Sequence, residues 1–340
     1  MATVGTSDRN FYDRYYFSLH GCDDEFFLAA GLGQYPNLGV SDGFVAVAHG
    51  TTQTVVRASR PLGLNRLDTT VGPLRVEILE GLHSLRLVCD DVEGFGLDVT
   101  WEAAIPAYEE PRMLLAAPHG RVLIDTMRFL QTGRWTGTLL LDGQTIEVTP
   151  DRFWGNRDRS WGVRPVGEPE PAGAPSQESG FFWNYFVAQF EDFTVVYLAQ
   201  EDSHGRRTTE EGVRLFSDGR AEHLGRPEHA LEFAPGSRRV TKAVVRFAGG
   251  LELTGEVLRP LHLARGTGYG FDADWRHGMW HPELVVQRKD FDTEDPSIVP
   301  MPGAIIDNVA RFTTSDGAVG YGLLEVMTIG PHPQYFGGWD

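Results

Sequence analysis

The sequence predicts an all-β protein made of two antiparallel β domains in tandem. Three observations predict it: apolar and polar residues alternate in paired short runs, Asp-Gly or Glu-Gly steps separate the members of each pair, and no stretch carries the apolar stripe of a long amphipathic helix. The first pair, residues 74–89 (LRVEILEGLHSLRLVC), alternates around Glu80-Gly81. RWTGTLLLDGQTIEVTP repeats the design around Asp142-Gly143, GVRLFSDGRAEHL around Asp218-Gly219, and ARFTTSDGAVGYGLLEVM around Asp316-Gly317. Asp-Gly supplies the positive φ angles that a tight hairpin turn demands. FFWNYFVAQFEDFTVVYLAQ is too rich in aromatic and β-branched residues for a surface helix.

Residues 166–180 (VGEPEPAGAPSQESG) form the one clear break in composition, rich in Pro, Gly, Ser and Glu, as an exposed linker is. It separates an N-terminal domain, 1–165, from a C-terminal domain, 181–340. Each half carries about the number of strands that a barrel or sandwich needs. There is no strict internal repeat.

Composition excludes several classes of function. The chain has 340 residues, 41% hydrophobic and 23% charged, which is normal for a folded globular protein. Its formal charge of −17, with no Lys/Arg cluster, argues against nucleic acid as a partner. Two cysteines, Cys22 and Cys89, allow neither a disulfide framework nor a cysteine-based zinc site. The N-terminus lacks the apolar core of a signal peptide, and no segment is apolar for the roughly 18 residues a membrane span needs. These features read as a cytoplasmic protein without integral membrane association.

Residues 151–162 (DRFWGNRDRSWG) concentrate tryptophans, arginines and aspartates in one short segment. In an extended strand, Asn156, Asp158 and Ser160 point one way, and Arg157, Arg159 and Trp161 the other. One face is then a small polar set around a carboxylate; the other pairs cations with an indole, suited to stacking or to ion pairs across a domain interface. A buried Arg/Asp network joining two domains would use the same residues.

The Gly-x-x-Asp-x-x-Trp-Gly pattern, at the junction of two β-rich halves, resembles the carotenoid 1,2-hydratase (hydroxyneurosporene synthase-like) family. That wider group includes the AttH-like proteins and the fungal lipocalin-like Diels–Alderases. The resemblance implies two tandem lipocalin-like barrels. It also implies an aspartate, here Asp158, that protonates a carbon–carbon double bond before water quenches the cation. Trp135 in TGRWTG matches an upstream tryptophan of that site. The family's tyrosine two positions before the aspartate is Asn156 here, and its upstream histidine is Gly133. Residues 31–43 and 268–280 also look like segments of bacterial members of this group.

Protonating an alkene requires a carboxyl held neutral, so Asp158 needs a raised pKa. An apolar pocket raises it, whereas inward-facing arginines would lower it. Trp135 and Trp154 would stabilise a developing cation through their ring faces, and Gln131 would face a barrel interior, bonded to protein or ligand. GYGFDADWRHGMWH gathers Tyr269, His277 and Trp280 as a contribution from the second half to a shared pocket, with His277 as acid, base or hydrogen-bond donor. A histidine capping an inter-barrel loop would look the same. His277 and His281 are four apart, but Gly278 and the strand-rich surroundings argue against a helical metal pair. Serine-hydrolase, P-loop and dinucleotide motifs are absent, so neither redox cofactors nor ATP are expected. The expectation is a cofactor-independent hydratase/dehydratase, isomerase or cyclase with Asp158 as acid and His277 and Asn156 beside it. Trp135, Gln131, Trp154, Arg157, Ser160, Trp161, Tyr269 and Trp280 would hold a lipophilic isoprenoid or polycyclic substrate. A non-catalytic carrier, or a pericyclase that only folds its substrate, would need the same pocket.

Overall fold

A computed structural model of the chain describes residues 3–117, 119–171, 180–270, 272–295 and 304–337. Among the described residues no helix forms, and 23 strands assemble into two antiparallel sheets of 14 and nine strands. The all-β expectation holds. No helix is long and apolar enough to cross a membrane.

The first sheet is organised on Val122–Leu141, a 20-residue strand that pairs with Trp154–Val163 along one edge and with Phe95–Ala103 along the other. On one side the sheet continues through Phe11–His20, Phe26–Tyr35, Val40–His49 and Thr52–Pro61; on the other it runs through Ser84–Val92 and Leu74–Glu80 to Thr70–Val71. That last strand returns against Val40–His49 and Thr52–Pro61, so the sheet curls on itself. Its far edge is supplied from the other half of the chain: Val285–Asp292 pairs with Thr52–Pro61. The second sheet is centred on Phe181–Gln189, flanked by Phe193–Asp202 and Val319–Ile329.

The hairpins follow the alternation, but not every Asp-Gly step makes the same turn. Asp142 and Gly143 both have positive φ, 50° and 76°, and join two strands directly. At Asp218-Gly219 and Asp316-Gly317 only the glycine is positive, 85° and 92°, and the connecting loops hold four residues. Aspartate keeps an ordinary φ there because the longer loop turns the chain with one left-handed residue. Of the expected linker, 172–179 lies outside the described residues. Its beginning is not exposed as expected: Val166 is buried and the Gly167 N–H donates to the His277 carbonyl at 2.6 Å.

Alternation sorts the apolar side chains into three cores. One fills the first sheet's concave side around Phe17, Trp101 and Trp135. Another fills the second around Phe186, Tyr197 and Phe312. The third, including Phe27, Phe44, Leu130, Val187, Val196 and Leu261, lies where the two sheets pack together. Side chains fill most of the first barrel's interior, leaving a cavity of about 430 Å³ beside Tyr15, Leu32 and Val76; a larger one opens between the sheets.

Candidate active site

A cavity of about 730 Å³ opens between the sheets, lined from both halves of the chain. Its floor is set by register. Trp154–Val163 runs between Phe11–His20 and Val122–Leu141, so Tyr16, Asp158 and Leu130 form one row across three strands, and Arg14, Ser160 and Arg128 the next. Both glycines of the Gly-x-x-Asp-x-x-Trp-Gly pattern are close approaches of backbone to backbone. A Cβ on Gly155 would lie 2.0 Å from the Ser18 carbonyl oxygen; one on Gly162, whose φ is +139°, would lie 2.0 Å from that of Asp125. The motif therefore clamps the strand at both ends and presents Asp158 between them.

Asp158 is 8% exposed, lines the cavity, and makes no hydrogen bond or ion pair with any described residue. Burial pushes its carboxyl up to about 7; the Arg128 charge opposes that rise, while Glu110 and Glu325 add to it. Arg128 is itself tied down. Its Nε donates to the Glu110 carboxylate and its guanidinium lies over Tyr185, 4.2 Å from the ring centroid. Across the cavity the Trp183 indole N–H donates to Glu325. Asp307 faces Glu325 directly across paired strands and accepts a 2.5 Å hydrogen bond from the Tyr16 hydroxyl. Burial pushes the carboxyls of Asp307 and Glu325 up; the Glu325 charge drives Asp307 well above the ordinary range, whereas hydrogen bonding with Asp307 holds Glu325 back.

The remaining wall comes from the segment 262–284, whose described residues form no strand and which is bound to the first sheet. Gln53 exchanges hydrogen bonds with the backbone of His262, and Arg57 pairs with Asp274 at 2.8 Å and stacks on Trp275. The Gly278 N–H donates to Asp42, which also binds Arg14; Arg14 in turn donates to the Tyr35 hydroxyl at 2.7 Å. Residues 31–43 are glycine-rich for this network. A Cβ on Gly31 would lie 2.6 Å from Arg14 Nη2, and one on Gly33 2.4 Å from the Tyr35 hydroxyl. The segment delivers Tyr269 and His277 to the cavity. Buried beside Arg14 and Arg164, His277 has its pKa driven well below the usual range, so the ring is neutral. The partners assign its protons: Nε2–H donates to the Thr267 carbonyl at 3.1 Å, and Nδ1 accepts from Arg164 at 3.2 Å.

With this geometry in hand, comparison with known proteins places the chain. A family model described as "Family of unknown function (DUF8625)" matches residues 1–336. The chain belongs to that family. No curated protein matches the sequence. Among solved structures, a protein of Nitrosomonas europaea assigned as an AttH is similar over 95% of this chain and 94% of its own, with a TM-score of 0.58 and 11% identity. Kievitone hydratase of Nectria haematococca is similar over 96% of this chain and 90% of its own, with a TM-score of 0.51 and 12% identity. At these identities the likeness is one of fold. This DUF8625 member has the tandem lipocalin-like β architecture of the AttH-like proteins, as the resemblance implied.

Of the residues expected at a site, four line this cavity: Asp158, Ser160, Tyr269 and His277. The others sit elsewhere, for readable reasons. Asn156 and Trp154 share Asp158's face but lie where the sheets touch. Asn156 accepts from Ser18 Oγ at 2.6 Å, and Trp154 meets Tyr321 of the second sheet edge-on. Trp135 and Gln131 have the opposite parity from Arg128. Trp135 is in the first barrel's core against Trp101, its N–H on the Ser18 carbonyl; Gln131 donates to the carbonyls of Leu82 and Ile105 and accepts from Arg157. Arg157 and Trp161 point away from Asp158, as alternation requires, and pack on Phe129. Trp280 is half exposed, its backbone N–H on Glu168. His281 stacks on Trp275. Gly133, where the family's histidine would stand, has no room for a side chain: a Cβ would lie 2.2 Å from the Glu102 carbonyl oxygen. Tyr16, Glu110, Arg128, Arg164, Tyr185 and Glu325 were not among the expected residues. Arg128 shares a face with Leu130, but only the register of Val122–Leu141 against Trp154–Val163 brings that face beside Asp158.

Proposed function

We propose that this protein is a cofactor-independent enzyme that carries out acid catalysis on a lipophilic small molecule, isoprenoid or polycyclic, in the cavity between the barrels. One observation carries the reading. Asp158 is a buried carboxyl without a hydrogen bond to any described residue, facing a largely apolar cavity, with burial pushing its pKa up to about 7, which is the condition a general acid needs.

In this reading Asp158 gives its proton to one carbon of a double bond, leaving a cation on the neighbouring carbon and a carboxylate on the protein. The faces of Tyr185, Trp183 and Tyr269 serve the cation in place of the tryptophans expected from sequence. Water adding to the cation returns a proton to the Asp158 carboxylate and completes a hydration; loss of a neighbouring proton to the same carboxylate gives isomerisation; attack by a second double bond, followed by proton loss to that carboxylate, gives cyclisation. A hydratase on the same fold accords with this reading by analogy. The free thiols of Cys22 and Cys89 support a cytoplasmic location.

The test is incubation with a panel of isoprenoid alkenes and alcohols in D₂O, followed by mass spectrometry. Deuterium on carbon, or a gain or loss of water, that disappears in a folded Asp158→Asn variant supports the reading. Ligands recovered unchanged from the wild type mark a carrier. Cyclised product at the wild-type rate in the variant marks a pericyclase.

A further inference from the structure

The proposed chemistry at Asp158 leaves one polar side of the cavity without a task. Arg164, just past the strand Trp154–Val163, and Arg276, in the segment 262–284, both line the cavity. Arg164 gives one N–H to His277 and lies over the rings of Tyr12 and Tyr269, at 4.4 and 5.5 Å, but no carboxylate of a described residue is within ion-pair distance of it. The Arg276 guanidinium makes no hydrogen bond or ion pair with any described residue.

The contrast with other arginines at the same cavity is informative. Arg128 is closed by Glu110 and Arg121 by Glu170. The chain carries 47 acidic residues against 30 basic ones, so carboxylates are not scarce. A guanidinium drawn out of water keeps most of its five N–H donors unsatisfied unless a partner arrives. His277 adds direction, since its neutral Nδ1 fixes one edge of Arg164 without cancelling the charge. The walls beyond are apolar, with Met113, Leu123, Ile305, Leu323 and Met327.

We infer that the cavity takes an amphiphile whose anionic oxygen head, a carboxylate or a delocalised enolate or phenolate, binds at Arg164 and Arg276 while its apolar body extends along these walls. This deepens the proposed function and rests on the same cavity being the working site. The protein's overall negative charge repels an anionic ligand at long range. Any preference for the anion therefore originates in the two local guanidiniums.

The experiment titrates the protein with cis-parinaric acid and with its methyl ester, two fluorescent polyenes that differ only in the charge of the head. The acid is expected to bind about tenfold or more tighter than the ester, as charge-assisted hydrogen bonds in a dry site imply. In a folded Arg164→Gln/Arg276→Gln variant the acid is expected to fall to the level of the ester, with ester affinity unchanged. Equal binding of acid and ester to the wild type overturns the inference. So does a preference that survives in the double variant, or failure of both probes to bind. Asp158→Asn is expected to keep the preference, so lost catalysis and lost head-group recognition are read separately.

Discussion

His277 accepts a hydrogen bond from Arg164 at 3.2 Å, and the charge of Arg164 is one of those that reach Asp158. A residue from the second half of the chain is thereby bonded to a charge that adds to the larger influence of Arg128 on a carboxyl of the first. Asp158→Asn and His277→Ala are expected to be non-additive in activity. Once the carboxyl is an amide, releasing Arg164 no longer alters its protonation, so the double variant should lose less than the two single losses combined, by about 1 kcal/mol. Strict additivity in folded proteins would separate the two residues functionally.

Asp158 also predicts a pH dependence. Its folded carboxyl sits at about 7, above its ordinary value of 3.8, so activity that needs the acid form should fall as pH rises through about 7. Stability follows the same sign: the contribution is fully present below about pH 4 and is lost as pH rises to about 7. Relative to Asp158→Asn, which cannot ionise, wild type should lose stability over that window by a few kcal/mol at most, and the offset should stay level above it. Denaturant unfolding at pH 4.5, 6 and 8 measures it; a constant difference would mean that Asp158 is ionised throughout.

Gly268 has a φ of +97°, and a Cβ there would lie 2.4 Å from His277 Cδ2. Gly268→Ala is expected to destabilise the fold by about 1–3 kcal/mol and to weaken ligand binding, because the imidazole must move. Thermal unfolding and ligand titration read the two effects. A variant that loses neither would show that the segment 262–284 adjusts freely.

Trp135→Ala is expected to cost about 3–5 kcal/mol through the hole left against Trp101, with ligand affinity unchanged in whatever fraction remains folded. Trp280→Ala, at a half-exposed indole, should leave both stability and affinity within error. Selective loss of affinity in either variant would return these rings to the site.

The fold was legible because hairpin alternation and turn chemistry are local: residues 74–89 announce their own partner. Asp158 was legible for the same reason, since its parity along one strand separates it from Arg157 and Arg159. What could not be read was register between distant strands. Nothing near Arg128 shows that it stands opposite Ser160, and nothing near Tyr16 shows that it stands opposite Asp158 or reaches Asp307 in the other sheet. Trp135 and Gln131 were misplaced for the complementary reason. They are close to the motif in the resemblance, but an odd number of residues from Arg128 turns them to the other face of the sheet.

The strand Val285–Asp292, which completes the first sheet along Thr52–Pro61, has a consequence for synthesis. When Thr52–Pro61 leaves the ribosome its closing partner is still more than two hundred residues from being made, which at about 5–20 residues per second is tens of seconds. Throughout that interval the nascent first barrel carries an open row of backbone donors and acceptors, the kind of edge along which chains join one another. A gene cut after residue 165 would make that interval permanent.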